Sequence, residues 1–192
     1  MDEAVATITD RLRQAAAVTE AMSARASEIA RAAALITDSF RRGGKLLLCG
    51  NGGSAADCQH LAAEFVSRLT KEVTRAALPA IALTTDTSYL TAFANDFGFD
   101  GVFARQIEAL GAAGDVLLAI STSGSSRNVL AAAETAKRKG VAVVALLGED
   151  GPLARMADVA ICVPSRDTQL IQQVHFAVEH VICQLVEQAM YP

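Results

Sequence analysis

Three short stretches of the chain carry residue types that do chemistry. The first runs Gly50-Asn51-Gly52-Gly53-Ser54 and is followed by His60 and Glu64. Glycines let a backbone come close to a ligand, and a helix starting behind them offers unpaired N–H groups to an anion. His60 and Glu64 stand at i and i+4, so they share a helix face. That spacing fits an acid/base pair, a metal pair or an ordinary surface contact. The second stretch is Ser121-Thr122-Ser123-Gly124-Ser125-Ser126. Hydroxyls and successive backbone N–H groups at a helix start hold a phosphate without Lys or Arg. The plain alternative is a serine-rich turn capping the next helix. The third stretch holds Gln172, Gln173, His175, Glu179 and His180. At 100° per residue His180 lies about 20° from Gln173, about 80° from Gln172 and about 140° from His175. Periodicity makes Gln173 the closer partner of His180, keeps Gln172 within reach, and leaves His175 a structural or interface residue. Val174, Val178, Ile182 and Leu185 supply the apolar stripe of that helix.

The elements around these stretches alternate. Residues 2 to about 42 read as two helices, with a break near Thr19 to Ser23 and a stop at Gly43-Gly44. Strands are expected at Leu46–Cys49, Pro79–Leu83, Asp115–Ile120, Val141–Leu147 and Val159–Val163. Helices are expected at Ser54–Leu69, with Ser54 as N-cap, and at Thr87–Ala94, interrupted by Asn95-Asp96. Further helices follow at Val102–Leu110, Val129–Lys139, Pro152–Ala157 and Thr168–Met190. Strands alternating with helices predict a parallel sheet covered on both faces. Ligands in such folds bind outside the C-terminal strand ends. Gly50–Ser54, Thr84–Asp86 and Ser121–Ser126 all fall at those ends.

Composition narrows the function classes. With 192 residues and 52% hydrophobic residues, the chain suits one domain built on a buried sheet. The net charge of −4, with scattered Lys and Arg, gives no footprint for nucleic acid. No apolar run is long enough to span a bilayer, and the N-terminus lacks a secretion signal. Four dispersed cysteines read as reduced thiols of a cytoplasmic protein rather than as a thiolate metal site. Gly50 to Ala55 fits G-x-G-x-x-A, but Asp86 lies further along than a dinucleotide site asks, and no Gly-Lys-Ser/Thr follows. No nucleotide cofactor is expected.

With these residues together, the chain resembles the sugar isomerase (SIS) domain family, and within it the bacterial phosphoheptose isomerases. The resemblance rests on CGNGGSAADCQHLAAEF, LPAIALTTDTSYLTAFANDFGF, GDVLLAISTSGSSRNVL and DTQLIQQVHFAVEHVICQLVE. It implies one SIS domain over 1–192. Residues 1–43 would serve oligomer packing, and 44–192 would form a five-stranded, flavodoxin-like α/β core. The implied reaction converts sedoheptulose 7-phosphate to D-glycero-D-manno-heptose 7-phosphate, the first step toward lipopolysaccharide-type heptose precursors. Glu64 and His180 would be the acid/base pair. Asn51, Gly52, Gly53, Ser54, Glu64, Gln172, Asn95 and Asp96 would contact the sugar, and Ser121, Thr122, Ser123 and Ser126 would hold its phosphate. A zinc ion would sit on His60, Glu64, Gln172 and His180, which sets Gln172 where the helix period prefers Gln173. The family also implies a cytoplasmic homotetramer with sites shared between subunits. That sharing would explain how two distant helices supply one site. Related SIS proteins that bind the replication initiator without turnover appear in the same class, and they lack equivalents of Glu64 and His180. Gln169 stands where some isomerases carry an acidic residue, which removes a carboxylate there but leaves the core pair.

Overall fold

A computed structural model describes the whole chain, Met1–Pro192. Five parallel strands form one sheet: β1 (Leu46–Cys49), β2 (Ala80–Ala82), β3 (Val116–Ser121), β4 (Ala142–Leu147) and β5 (Val159–Cys162), in the order β2-β1-β3-β4-β5. The fold is α/β and flavodoxin-like. Apolar side chains leave each central strand on both sides, which only a sheet covered on both faces can bury. Leu46 and Leu48 join one core with Ile36, Leu61, Phe65, Val178 and Ile182. Leu47 and Cys49 point the other way, into a core with Phe103, Ile107, Val129 and Ala133.

The helices are α1 (Asp2–Ala21), α2 (Ala26–Arg41), α3 (Gly53–Val66), α4 (Thr87–Phe97), α5 (Val102–Leu110), α6 (Arg127–Arg138), α7 (Pro152–Met156) and α8 (Thr168–Met190). A 3-10 turn, Met22–Arg25, separates α1 from α2 and ends two residues past the expected break. Gly43, at φ +80°, carries the chain out of α2 in a conformation that other residues rarely adopt. Asp86 caps α4 by accepting from the Tyr89 N–H, and Asp167 caps α8 by accepting from the N–H groups of Gln169 and Leu170. No helix is long and apolar enough to cross a membrane.

Three local expectations change. Ser54 is not the N-cap of α3: Gly52 takes that place, and Ser54 is buried in the first turn. The glycine turn is tight enough for helical geometry to begin at Gly53. Asn95-Asp96 does not interrupt α4, which runs on to Phe97, because the breaker is Gly98 at φ +88°. On α8, Val186 rather than Leu185 completes the buried stripe with Val174, Val178 and Ile182; Leu185 faces outward.

Candidate functional site

The strand order fixes where the site opens. β1 continues toward β2 on one side, and β3 continues toward β4 on the other. The loops leaving β1 and β3 therefore diverge and frame a crevice at their C-terminal ends. Gly50-Asn51-Gly52 forms one lip. At Gly50 a Cβ would come within 2.8 Å of Ser54 Cβ and 2.9 Å of the Ser54 carbonyl oxygen, so the turn closes only around glycine. Gly52, at φ +57°, reverses the chain into α3.

The serine loop forms the other lip. Ser121 and Ser126 hydroxyls meet at 3.1 Å, and Ser123 Oγ accepts from the Ser125 N–H at 3.3 Å and from the Ser125 hydroxyl at 3.0 Å. Gly124, at φ +61°, donates its N–H to the Ser121 carbonyl and accepts from the Leu153 N–H, which pins the loop to α7. Ser126 is the N-cap position of α6 and makes no side-chain cap bond, so its hydroxyl is directed to Ser121 instead. Thr122 and Ser123 also border a polar cavity of about 280 Å³ with Glu149, Ser165 and Arg166. The two lips are joined directly. Asn51 Nδ2 donates to Asn128 Oδ1, and Asn128 Nδ2 donates to Asn51 Oδ1, both at 2.8 Å.

Beside the glycine lip, α3 packs on α8. His60 Nε2 lies 3.0 Å from His180 Nε2 and 3.5 Å from Glu64 Oε1. These three ligating atoms all fall within 4.8 Å of one another. The second Glu64 oxygen is buried and has no hydrogen-bond partner. Two imidazole nitrogens and a carboxylate, with one carboxylate oxygen uncommitted, form a donor set that suits a divalent first-row metal. Phe176 walls the cluster, its ring centroid 4.9 Å from that of His60 and 4.4 Å from that of His180. Arg75 fixes the far end of α3. Its guanidinium donates to the carbonyls of Glu64 and Phe65 at 2.7 and 2.8 Å, and pairs with Glu187 of α8.

Gln172 lies against the glycine turn, close enough that a Cβ on Gly53 would sit 3.0 Å from Gln172 Cδ. Gln173 is exposed. Helix rotation about one residue distinguishes them less well than the sideways lean of a long side chain toward its neighbour. His60, Glu64 and His180 come from one chain, so two distant helices need no second subunit to meet. Asn95 and Asp96 sit exposed at the end of α4 and hydrogen-bond to one another at 2.8 Å. No hydrogen bond ties them to the other candidates.

Behind the cluster lie groups without partners. His175 is fully buried, and neither ring nitrogen reaches hydrogen-bonding geometry. Burial lowers its pKa to about 4, with the nearby Leu147 backbone pulling weakly the other way. Glu179 is also buried with both oxygens unpartnered, and burial, reinforced by the Asp57 charge, raises its pKa to about 9. It is a neutral carboxyl near neutral pH. Burial raises Asp57 as well, against the pull of His60.

Sequence reasoning passed over Asn128, Phe176 and Arg75. Phe176 stands at i−4 to His180, a spacing that marks it as a neighbour. Arg75 and Asn128 gave no signal, since their side-chain partners Glu187 and Asn51 lie 112 and 77 residues away in the chain.

The SIS domain family model matches residues 12–148. A phosphoheptose isomerase of Roseiflexus sp. (strain RS-1) is 57% identical over 157 residues, 81% of this chain and 79% of the relative. The structure of the phosphoheptose isomerase from Neisseria gonorrhoeae superposes with a TM-score of 0.87 at 42% identity, covering 97% of this chain and 98% of that one. The structure of a phosphoheptose isomerase from Francisella tularensis gives a TM-score of 0.90 at 37% identity, covering 96% and 98%. The strand order, the hydroxyl loop at the switch point and the His–Glu–His cluster thus sit in a chain that is alike from end to end, and it belongs to the phosphoheptose isomerase family of SIS-domain proteins.

Proposed function

We propose that the protein converts sedoheptulose 7-phosphate to D-glycero-D-manno-heptose 7-phosphate through an enediol, supplying heptose precursors. The observation that carries this reading is the convergence of His60, Glu64 and His180 within 4.8 Å, beside a hydroxyl-lined loop at a helix start. A ketose–aldose isomerase needs a base at carbon and a proton donor at the oxygens.

Glu64 takes a proton from C1, and His180 delivers one to the C2 oxygen, giving the enediol. His180 then removes the C1 hydroxyl proton, and Glu64 returns a proton to C2, so no atom or charge is left over. Imidazole exchanges protons near neutral pH, which suits the oxygen side. Ser121, Thr122, Ser123 and Ser126 receive the phosphate, with the start of α6 contributing its dipole. Asn51, Gly52, Gly53, Ser54 and Gln172 line the sugar. The distant phosphate holds the chain of carbons in register and contributes orientation. His60, Glu64, Gln172 and His180 would hold zinc, which would polarise a carbonyl and stabilise negative charge on the adjacent oxygen; with the ion on His180 Nε2 and one Glu64 oxygen, the protons would move through His180 Nδ1 and the uncommitted Glu64 oxygen.

We read the chain as one domain, 1–192, acting as a homotetramer in the cytoplasm. The exposure of Val5, Ile8 and Leu12 on α1, a helix with no buried residue, supports assembly through residues 1–43. An apolar groove of about 300 Å³ is lined by Met22, Ile29, Val178 and Leu185. Asn95 and Asp96 reach a site in this reading only if a neighbouring subunit brings α4 to it. The four free thiols suit a reducing compartment.

A second reading, a non-catalytic SIS protein that binds the replication initiator or senses a sugar phosphate, is disfavoured by the assembled acid/base cluster. NMR with sedoheptulose 7-phosphate in D2O separates the two. Aldose heptose 7-phosphate carrying deuterium at C2 is the expected result. Saturable shifts without product would replace the isomerase by the binding protein.

A further inference from the structure

Asn51 of the glycine lip and Asn128, two residues past the serine lip, are separated by 77 residues in sequence and joined by one reciprocal amide pair. Asn128 is the second residue of α6 and only 3% exposed, whereas Asn51 is half-buried in the glycine turn. An asparagine in the first turn of a helix ordinarily turns back on its own backbone. Asn128 instead spends one N–H and one lone pair on Asn51, and receives the same in return. Each amide keeps one further N–H and one further lone pair.

We propose that Asn128 is a positioning residue for the isomerase reaction: it fixes the amide plane of Asn51 and, through it, the distance between the glycine lip and the phosphate-holding serine lip. The inference rests on the isomerase reading. The physical basis is that a lone amide on a half-buried turn rotates or flips at little cost. In a reciprocal pair, flipping either amide alone sets oxygen against oxygen and N–H against N–H, so both bonds are lost together. Asn128 sits on a 12-residue helix in which its neighbour Val129 and, one turn further on, Ala132 are fully buried. The reference frame is therefore the helix, and the mobile partner is the turn. The free N–H of Asn51 is then presented at a fixed height above the crevice, on the same scaffold that holds the phosphate. A substrate bridging the two lips meets a preset span, which is the geometry that orientation effects require.

The test is a double-mutant cycle in steady-state turnover of sedoheptulose 7-phosphate, with thermal unfolding of each variant. Asn51→Ala and Asn128→Ala should each lower kcat/KM by roughly tenfold to a hundredfold. The double variant should fall no further than the worse single, within about threefold. A double variant that loses the product of the two single effects overturns the proposal, as does Asn128→Ala with a lowered melting temperature and unchanged kcat/KM. If wild-type protein turns nothing over, the isomerase reading fails, and the tether between the two lips is decided separately by NMR of the wild-type protein. The Asn51 side-chain amide, identified by its absence in Asn51→Ala, should be displaced from the bulk Asn and Gln signals and protected from solvent exchange. An Asn51 amide that exchanges like an exposed one removes the reciprocal pair, and the proposal with it.

Discussion

The Nε2 atoms of His60 and His180 face each other at 3.0 Å, although 120 residues separate them in the chain. Two such nitrogens coexist in only two ways: one donates to the other, or both aim lone pairs at a cation. Ligand nitrogens about a tetrahedral zinc at 2.0–2.1 Å stand roughly 3.3 Å apart. The observed spacing is close to that value before any ion is considered. Protein purified without added metal should carry about one equivalent of zinc per chain, and His60→Ala or His180→Ala should lose it. Less than about a tenth of an equivalent, with full activity after chelation, rejects a catalytic zinc.

Glu64→Gln keeps the volume while removing the carboxylate proposed as the base. The kcat should fall by about 10² to 10⁴, with the melting temperature nearly unchanged because one Glu64 oxygen already lacks a partner. Turnover within a few-fold of wild type would show that another group takes the carbon proton.

Gly53→Ala tests the seat of Gln172. Gly53 is the first residue of α3 and needs no unusual φ, so alanine costs the backbone little. The added methyl instead forces Gln172 aside, since it falls 3.0 Å from Gln172 Cδ. The melting temperature should hold while kcat/KM drops by about tenfold or more. Equal kinetics would place Gln172 outside the working site.

Arg75→Ala should be among the most destabilising single changes. The Arg75 side chain is 0% exposed and that of Glu187 7%, so the variant leaves a buried carboxylate alone, at a cost of about 3–5 kcal/mol. Urea unfolding measures this directly. Arg75→Met combined with Glu187→Leu should recover much of the loss; a double variant as unstable as Arg75→Ala would mean that the carbonyl contacts at the end of α3, not the stranded charge, dominate.

His175 sets a pH dependence with a definite sign. Its folded pKa is about 4, against 6.5 for the free side chain. Between those values the unfolded chain binds a proton that the folded one refuses, so stability falls as pH drops from 6.5 toward 4. The full effect is on the order of 3 kcal/mol. Comparing wild type with His175→Gln across that window isolates it. Parallel stability curves for the two proteins would show that the ring is charged in the fold after all.

Much of this molecule is legible along the chain, and the reason is local. Apolar runs of four to six residues between glycine turns and amphipathic helices leave few alternatives to a covered parallel sheet, and β1, α5 and α8 begin and end where their sequences say. His60 and Glu64 are paired by helix spacing alone. What escapes is whatever depends on one element meeting another. Helix period favours Gln173, yet Gln172 lies against the glycine turn and Gln173 is exposed. Asn95-Asp96 looks like a helix break because both residues favour turns, yet Gly98, two residues on, supplies the positive φ that ends α4. Asn128 and Arg75 act across 77 residues and across the α3–α8 seam, where no pattern in sequence points.

The sheet ends in a three-residue strand, β2, on one side and a four-residue strand, β5, on the other. A stranger's strand arriving at either margin finds only a few residues to pair with before the backbone turns away into loop. Long flat margins invite other chains to extend a sheet without limit, and short ones deny that template. Growth by strand addition is therefore closed to this molecule at both ends. Helical layers are left as the surfaces through which copies could meet, where contact areas are finite and an assembly can stop at a fixed number of members.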